Sequence, residues 1–527
     1  MVSDRDEARA AAGVNFIDPE GRLFWRAIPY NHPQLFEDGA NAHVISRLGL
    51  SAELCRAGTE VIAEQIRAKV CEPLSHVASA VVISTALDPE IVRSFVLAGF
   101  RIAGVVDERS NVVEPAWPVG RALGVDLPPA IVIGRSNPNM LAQVRALGRS
   151  GVAVHCILNR GEPASIVRAS RYTASVVDLR RGGDADVIAA IKAIASSARK
   201  KPVLFYGGDF DITLIARISK AIADDVVFVT APDRAQAMNA KTEQGTRVSA
   251  AGVRVPRGGG IRTQEDLERF CTTLQFPVIC RPVELASRGG FSDKILLFDS
   301  ASEMRGRLEP MLRGRSSWIL VQEYIPGPDD SLLFALACCG TGGELRSIVT
   351  GRKLCQFPAG LMCRGETLEM PELKSLSAKA FAALGVEGVL GVEFKRDLRT
   401  GELYYIEANF RPENIIAIAE ASGVNILLMA YLEAAQFGDV MTPLRMRRVL
   451  WRDLSMELMG WFLRRFRWRQ GLGLHTRSVG AVWAPDDPWP ALLWHLAKVA
   501  RAFAKVRKSV LRKLVPPSLV GSGRAVR

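Results

Sequence analysis

Short apolar runs alternate with amphipathic helical patterns over residues 130–235, as they do in βαβ units. One helical pattern, DITLIARISKAIA, covers residues 211–223. This alternation predicts a small open parallel sheet with helices on its faces. The runs that we interpret as its strands are AIVIG (130–134), VAVHCIL (152–158), PVLFYGGD (202–209) and VVFV (226–229).

The chain before this region is less clearly patterned. Residues 80–108 repeat the strand–helix–strand pattern, which indicates either a distant repeat or a separate accessory unit. Residues 1–78 are mixed and predict only an accessory, partly helical segment. We therefore interpret residues 1–125 as an accessory segment and residues 126–235 as a small parallel α/β domain.

From residue 236 to residue 436 the pattern changes to clustered short strands with intervening helices, which is typical of an α+β domain. FPVICRP (276–282) and DKILLFD (293–299) are predicted strands on either side of a glycine-containing loop. Residues 318–339 predict a strand, a turn and a second strand, and residues 381–397 predict a helix end followed by a strand. We expect this region to form its own domain.

The last region, residues 437–527, carries most of the positive charge. The net charge of the chain is +13, and residues 445–527 contain 18 Lys and Arg against 4 Asp and Glu. A nucleic-acid enzyme more often carries its basic groups around the site itself, so we expect no nucleic-acid substrate. The length of 527 residues and the 48% apolar content allow two to four domains with buried cores.

A long helix with one apolar stripe is predicted near residues 491–514. In one interpretation the stripe packs on the protein's own core. In another, residues 488–514 lie on an anionic membrane with Trp489 and Trp494 near the interface. A partner macromolecule is the third alternative. The stripe consists of Leu492, Leu496, Val499, Phe503, Val506, Val510 and Leu514.

The nine cysteines include no CxxC pair and no zinc-like spacing, which indicates buried thiols in a reducing cytosol. The charged N-terminus does not resemble a signal peptide, and no run of ~18 apolar residues occurs. We therefore expect a cytoplasmic protein, at most peripheral at the inner face of the membrane. The sequence leaves the oligomeric state open, homo-oligomers included.

A β-hairpin is predicted over residues 388–409. Gly401 can take the positive φ that a tight turn needs, and a hairpin symmetric about residue 400 places Glu393 opposite Glu407. Successive side chains of a strand alternate between its two faces. Strict alternation assigns one face of the second strand to Leu403, Tyr405, Glu407 and Asn409.

Two carboxylates that face each other across a sheet repel unless a cation lies between them. With Asn409, Glu393 and Glu407 form a set of three oxygen ligands that suits a hard ion such as Mg²⁺. Arg411 follows the end of the strand, in position to meet phosphate oxygens. The alternative is a solvated hairpin face on which Glu393 pairs with a neighbouring basic residue.

Residues from about 130 to 436 resemble the ATP-grasp family, and most closely its carboxylate–amine ligase branch, which includes D-aspartate ligase and carbamoyl phosphate synthase. The motifs that carry the resemblance are NAKTEQGTRVSAAGVRVP, FPVICRP with its glycine loop, VQEYIPGPDDSL, TGRKLCQFPAG and GVEFKRDLRTGELYYIEANFRPE. The resemblance implies a nucleotide held between two α+β lobes, behind the small α/β domain. The N-terminal accessory segment and the basic helical tail lie outside it.

The resemblance implies a role for each matching residue. Arg411 corresponds to the arginine that contacts the transferred phosphate. Arg352 and Lys353 are similar to the basic residues that face the γ-phosphate and the activated carboxylate, with an exposed charged strand end as the alternative. The implied ligands of Mg²⁺, or of Mn²⁺ as an alternative metal, are Glu393, Glu407 and Asn409.

Further residues are implied to bind ATP. Lys241 matches the first lysine that contacts nucleotide phosphates, and Arg281 occupies the second such position, where many family members have lysine. Gly289 and Gly290 lie in the loop 287–294, whose backbone N–H groups can approach phosphate oxygens. The remaining implied contacts are Gln322, Glu323, Tyr324 and Ile325 for adenine and Asp330 for the ribose hydroxyls.

The implied reaction activates a carboxylate as an acyl-phosphate, from which an amine displaces phosphate to form an amide. The expected partners are a small carboxylic acid and an amine, in a pocket near Asp209 or Asp211 at the C-terminal strand ends of the α/β domain. One alternative is a nucleotide-binding regulatory or scaffold protein that docks through its basic tail. Another is a different reaction on the same fold, such as carboxylation or thioester formation.

Overall fold

The computed structural model describes residues 127–160, 166–282, 295–312, 319–357, 360–437, 446–462 and 477–498, together with the backbone of six short strands before residue 127. These six strands are β1 (Val14–Ile17), β2 (Leu23–Tyr30), β3 (Ala42–Leu50), β4 (Ala80–Ile83), β5 (Val105–Asp107) and β6 (Val112–Glu114). β4 pairs with β3, whereas β5 pairs with β6 in a separate ribbon. The two strands of the βαβ pattern predicted at residues 80–108 therefore lie in different sheets.

A five-stranded parallel sheet comes next in the chain, in the order β11-β10-β7-β8-β9. Its strands are β7 (Ala130–Arg135), β8 (Val154–Arg160), β9 (Thr173–Asp178), β10 (Val203–Tyr206) and β11 (Val227–Phe228). Its helices are α1 (Pro138–Arg149), α2 (Asp184–Ser197) and α3 (Asp209–Ile222). The predicted open parallel sheet is confirmed. The edge strand β9 is half exposed, so no continuous apolar run reveals it.

Helices α4 (Pro232–Met238) and α5 (Lys241–Ala250) lead into a first antiparallel lobe. Its sheet has the order β12-β15-β13-β14 and encloses a small apolar core with two helices. The elements of this lobe are β12 (Gly258–Ile261), α6 (Gln264–Thr273), β13 (Val278–Pro282), β14 (Leu296–Phe298), α7 (Ala301–Leu312) and β15 (Ile319–Glu323).

A second, larger lobe is built on a seven-stranded sheet in the order β20-β19-β16-β17-β18-β21-β22. Its last two strands come from the basic C-terminal region, which the sequence patterns do not assign to a sheet. The elements are β16 (Leu332–Cys339), β17 (Leu345–Gln356), β18 (Met362–Thr367), α8 (Pro371–Leu384), β19 (Gly388–Arg396), β20 (Leu403–Asn409), α9 (Ala417–Ala421), α10 (Ile426–Ala434), β21 (Val449–Arg452), α11 (Leu454–Phe462) and β22 (Arg477–Gly480).

The central strands of this sheet are buried on both faces. Leu333 and Phe394 share a buried cluster with Phe381 of α8, whereas Phe334 on the opposite face packs with Tyr431 of α10. The seven cysteines among the described residues are free and buried, as predicted. No helix in the described part of the chain is long and apolar enough to span a membrane.

A buried carboxylate attaches the segment 477–498 to helix α1. Asp487 is 1% exposed and accepts hydrogen bonds from Arg145 Nε (3.0 Å), Ser170 Oγ (2.6 Å) and the backbone N–H of Arg171 (3.0 Å). The buried Arg145 guanidinium also donates to two carbonyl oxygens of the same segment. This part of the C-terminal region is therefore fixed by buried, charge-assisted hydrogen bonds.

Only the first part of the predicted amphipathic helix lies among the described residues, from residue 489 to residue 498. Leu492 and Leu496 are exposed there, at 49% and 56%, rather than packed on the core. Trp494, which one interpretation places near a membrane interface, is partly buried against an apolar cluster, and Lys498 Nζ lies 4.7 Å from its ring centroid. Contact with an anionic membrane stays a prediction.

The variant Asp487→Asn removes one charge of the buried pair and leaves Arg145 charged without its partner. We expect the free energy of unfolding to fall by on the order of 3 kcal/mol. Urea denaturation followed by circular dichroism measures this change. Asp225→Asn is the matched control, since its ion pair with Lys192 is 3.8 Å long and partly exposed and should contribute about 1 kcal/mol or less. Equal losses in the two variants would contradict a buried anchor at Asp487.

Candidate active site

Glu393 and Glu407 lie directly opposite each other across strands β19 and β20, as the hairpin predicted. Gly401 takes a φ of 78° in the turn. Beyond the carboxylate pair the register shifts, so that Phe394 lies opposite Tyr405. One extra residue, Ile406, is therefore accommodated in β20 as a β-bulge.

The bulge corrects the prediction that Leu403, Tyr405, Glu407 and Asn409 share one face. Tyr405 and Ala408 are both buried on the core side, where the Tyr405 ring meets the Phe394 ring edge-on with 5.9 Å between centroids. Glu407 projects from the opposite face of the sheet, together with Glu393. The bulge at Ile406 thus places Glu407 on the face opposite to Tyr405. The apolar residues and the carboxylate of this strand therefore lie on different faces.

The Glu407 carboxylate binds two cations that come from other parts of the fold. Its Oε2 accepts from Lys241 Nζ, at the first position of α5, and from Arg281 Nη1 of β13 at 3.2 Å. Arg281 Nη2 also donates to Gln322 Oε1 at 3.0 Å and to the Ile406 carbonyl oxygen at 3.3 Å. Burial favours a higher pKa for Glu407, but the charges of Lys241 and Arg281 outweigh it and hold the pKa well below its usual value.

Glu393 has a buried cation of its own. Lys353 Nζ donates to Glu393 Oε1 at 2.7 Å, and Lys353 is only 5% exposed. Burial opposes the charge on Lys353, but the neighbouring Glu393 charge outweighs this effect and raises the lysine pKa. Lys353, Glu393 and Glu407 therefore form a continuous charged cluster on one face of the second lobe.

Arg352 is not brought together with this cluster. It lies in the same cross-strand row as Phe394, on the face opposite to Glu393. Its guanidinium pairs instead with Glu366, at 2.6 and 2.8 Å. Since side chains alternate along β17, the adjacent Arg352 and Lys353 cannot both face the cluster. This corrects the predicted pair of basic residues.

The predicted adenine hinge follows strand β15. The backbone N–H groups of Glu323 and Tyr324 donate to the carbonyl oxygens of Arg257 and Pro277, at 2.8 and 3.0 Å. The next residue, Ile325, is buried. These contacts fix the backbone of the hinge on the first lobe.

Two further predicted contacts have different surroundings. Asp330 is exposed in a short 3₁₀ turn, whereas its neighbour Asp329 accepts from the backbone N–H and the side-chain amide of Gln356, at 2.8 and 2.9 Å. Asp329 therefore orders the turn and leaves the Asp330 carboxylate at the surface. Gly289 and Gly290, with the rest of their loop, lie outside the described residues.

The sequence patterns do not single out Glu413, which the structure adds to the cluster. Glu413 is 9% exposed and stands directly over Gly391, where a Cβ atom would lie 1.9 Å from Glu413 Oε1. This oxygen has no hydrogen-bond partner among the described residues. Burial, followed by the charge of Glu393, raises the pKa of Glu413 to about 7. The only feature of the sequence that could have indicated Glu413 as a site residue is its position two residues after Arg411.

Arg411 connects the cluster with the parallel sheet. Its guanidinium forms a two-point ion pair with Asp209, at 2.7 and 3.1 Å, and its Nη2 approaches Asn409 Oδ1 at 3.5 Å. Burial opposes the charge of Arg411, but Asp209 outweighs it and raises the arginine pKa. Asp209 is the first residue of α3, so this pair joins the end of β20 to the α/β sheet.

A cavity of about 460 Å³ opens where β7 and β10 end. This is the C-terminal edge of the parallel sheet, at which open α/β sheets bind ligands. Its wall includes both predicted candidates, Asp209 and Asp211, as well as Arg411. The described residues that line the cavity are Arg135, Asn137, Asn139, Arg160, Gly207, Gly208, Asp209, Phe210, Asp211, Arg411 and Asn414.

The donor set on the hairpin suits a magnesium ion. Glu393, Glu407 and Asn409 offer two carboxylates and an amide oxygen from paired strands. Mg²⁺ commonly takes one or two carboxylates and completes its shell with water and substrate phosphates. In the described ranges, no three His, Cys, Asp or Glu side chains are grouped so that they could hold a metal. A cation on the hairpin would therefore need further ligands from water or from a bound phosphate.

No protein-family model and no curated protein matches the sequence. Similar solved structures include an ADP complex of N5-carboxyaminoimidazole ribonucleotide synthetase, with 13% identity and a TM-score of 0.47 over 61% of this chain and 80% of that chain. They also include biotin carboxylase from Campylobacter jejuni (17%, 0.47, 60% and 74%) and L-amino acid ligase from Bacillus licheniformis (15%, 0.44, 59% and 76%). At these identities the reactions of those proteins are not transferred to this chain.

The three sheets have the arrangement that the motifs implied. Two antiparallel lobes contribute to one cation–carboxylate cluster, and a parallel α/β sheet precedes them in the chain and contacts the cluster through Asp209. The described part of the chain therefore has a parallel α/β sheet followed by two antiparallel α+β lobes, as predicted.

The variant Glu413→Gln should change how stability depends on pH. The folded-state pKa of Glu413, about 7, lies above the ordinary value of 4.5, so the folded protein holds this proton more tightly than the unfolded chain does. The resulting stabilisation is complete below about pH 4.5 and is lost as the pH rises through 7. Relative to wild type, the variant should therefore gain on the order of 3 kcal/mol in unfolding free energy between about pH 5 and pH 8.

Urea midpoints of both proteins at the two pH values measure this gain. Glu372→Gln removes a half-exposed carboxylate of α8 and serves as the control, which should follow wild type. Parallel pH profiles for wild type and Glu413→Gln would show that the Glu413 carboxyl titrates normally.

Proposed function

We propose that the protein is an ATP-dependent ligase that activates a substrate carboxylate as an acyl-phosphate and couples it to an amine, forming an amide bond. The observation that carries this proposal is the position of Arg411. Its guanidinium lies beside the metal-binding set on the hairpin and also lines the cavity at the edge of the α/β sheet. A phosphate at the cluster and a carboxylate in the cavity would both lie next to one cation.

The cations of the cluster suit nucleotide phosphates. Lys241 and Arg281 share one carboxylate, Glu407, so phosphate oxygens can replace it as their acceptor. Glu407, Glu393 and Asn409 would then hold Mg²⁺, which neutralises charge on the phosphate oxygens when it is bound. The hinge residues 322–325 are assigned to adenine and Asp330 to the ribose.

The reaction needs no nucleophile from the protein. A carboxylate oxygen of the acid attacks the γ-phosphorus in line, and ADP leaves as the bond to the β-phosphate oxygen breaks. The amine nitrogen then attacks the acyl carbon, inorganic phosphate leaves, and the nitrogen loses one proton. Arg411 and Lys353 supply fixed positive charge beside the groups that become negative, and their ion pairs hold them in place before substrates bind.

The variant Glu407→Gln tests the proposal through ADP and phosphate release across a panel of acids and amines. We expect release by wild type to need both an acid and an amine, and to fall at least 100-fold in the variant, because a metal ligand and the acceptor of two cations are lost together. Glu243→Gln, an exposed carboxylate of α5, is the matched control and should keep wild-type turnover.

The possible outcomes separate the candidate functions. Release that requires only the acid, or that survives in Glu407→Gln, would contradict the ligase mechanism. Nucleotide binding without turnover for any acid–amine pair would indicate a regulatory or scaffold protein instead.

A further inference from the structure

We propose that Arg135 recognises a second negatively charged group on the acid substrate, so that the preferred acid is a dianion rather than a simple monocarboxylate. This inference rests on the proposed ligase function and assigns a substrate class to its cavity. It follows from the charged side chains that line the cavity in the described part of the chain, and from the position of the one that has no carboxylate partner there.

Two of the three arginines in the wall are already paired with carboxylates of α3. Arg411 forms its two-point ion pair with Asp209. Arg160 donates to Asp211 Oδ1 at 3.2 Å, and its guanidinium lies 4.0 Å above the Phe210 ring centroid. These contacts hold both guanidinium groups in place and nearly cancel their charges.

Asp211 is well placed to hold the Arg160 guanidinium in position. It is completely buried and also accepts from Asn159 Nδ2 at 2.7 Å. Glycines at positions 134, 207 and 208 surround its Oδ2 atom, and a Cβ at any of the three would lie 3.0–3.4 Å from it. The carboxylate is thus enclosed by backbone and is directed toward Arg160 and Asn159.

Among the described residues, Arg135 has no such partner. It is the last residue of β7, its side chain is exposed, and no carboxylate among the described residues pairs with it. The side chains that line the cavity therefore leave one uncompensated positive charge at the end of this strand. An arginine that lines a cavity without an internal carboxylate is available for a ligand anion.

We infer a substrate with two negative groups because two arginines, Arg411 and Arg135, line different parts of the cavity wall. The carboxylate that is activated must lie beside Arg411, because that arginine adjoins the metal-binding set. We assign Arg135, which extends from the end of a different strand, to a second group of the same acid. A cavity of about 460 Å³ has room for a small acid that spans both positions. Its second group is a carboxylate, phosphate or phosphonate.

The test is isothermal titration calorimetry without nucleotide, with matched pairs of probes. Succinate, glutarate and adipate are compared with butanoate, pentanoate and hexanoate, and 3-phosphonopropanoate is included as a phosphorus-containing dianion. We expect at least one dianion to bind wild type about tenfold or more tightly than its monoanion. Arg135→Gln should remove this preference and leave monoanion affinity within about twofold, and Arg135→Lys should restore part of it.

Arg307→Gln removes an exposed charge from α7 in the first lobe and is the matched control, with wild-type affinities expected. If no dianion binds more tightly than its monoanion, or if Arg135→Gln weakens both equally, the inference is overturned. ADP release with the same acids distinguishes the two proposals. Turnover with equal use of monoanions and dianions keeps the ligase and removes the role of Arg135. Arg135-dependent binding without turnover keeps the anion site and removes the ligase.

Discussion

The candidate site depends on the balance between one carboxylate, Glu407, and two cations, Lys241 and Arg281. The three residues come from the second lobe, from helix α5 and from the first lobe. Without the carboxylate, two like charges would be forced together in a partly buried place, at a cost that rises as the dielectric constant falls. Glu407 therefore allows the fold to hold these two cations close together.

This balance requires that Glu407 face the lobe interface rather than the core, and the bulge at Ile406 meets that requirement. Before the bulge, Tyr405 packs edge-on against Phe394. After it, Ala408 occupies the buried face. One inserted residue thus lets a single edge strand contribute an apolar face to the core and a carboxylate to the site. The bulge also keeps Glu407 opposite Glu393, where both can contact one cation.

The sequence predicts the parallel sheet, the hairpin and the opposed carboxylates, because each follows from a local periodicity or a turn. It does not predict the bulge, because no residue type in β20 marks the extra position. The shift in register is visible only when β20 is paired with β19. The faces of Arg352 and Lys353 depend on pairing in the same way. The position of the Glu413 side chain depends on a more distant residue, because its carboxyl occupies the space that a side chain at Gly391 of β19 would fill.

Most cations of the site have a carboxylate of the protein as their partner in the absence of substrate. Lys353 has Glu393, and Arg411 has Asp209. In the proposed reaction, binding of a phosphate or carboxylate group would exchange one anionic partner for another, so the cations would need little movement and their positive charge would already be oriented. Arg411 belongs to both the charged cluster and the cavity. It lies beside Asn409 of the hairpin, and its partner Asp209 is the first residue of the helix that borders the cavity. In the proposed ligase, a substrate carboxylate that replaced Asp209 as the partner of Arg411 would therefore change the contacts at the first turn of α3.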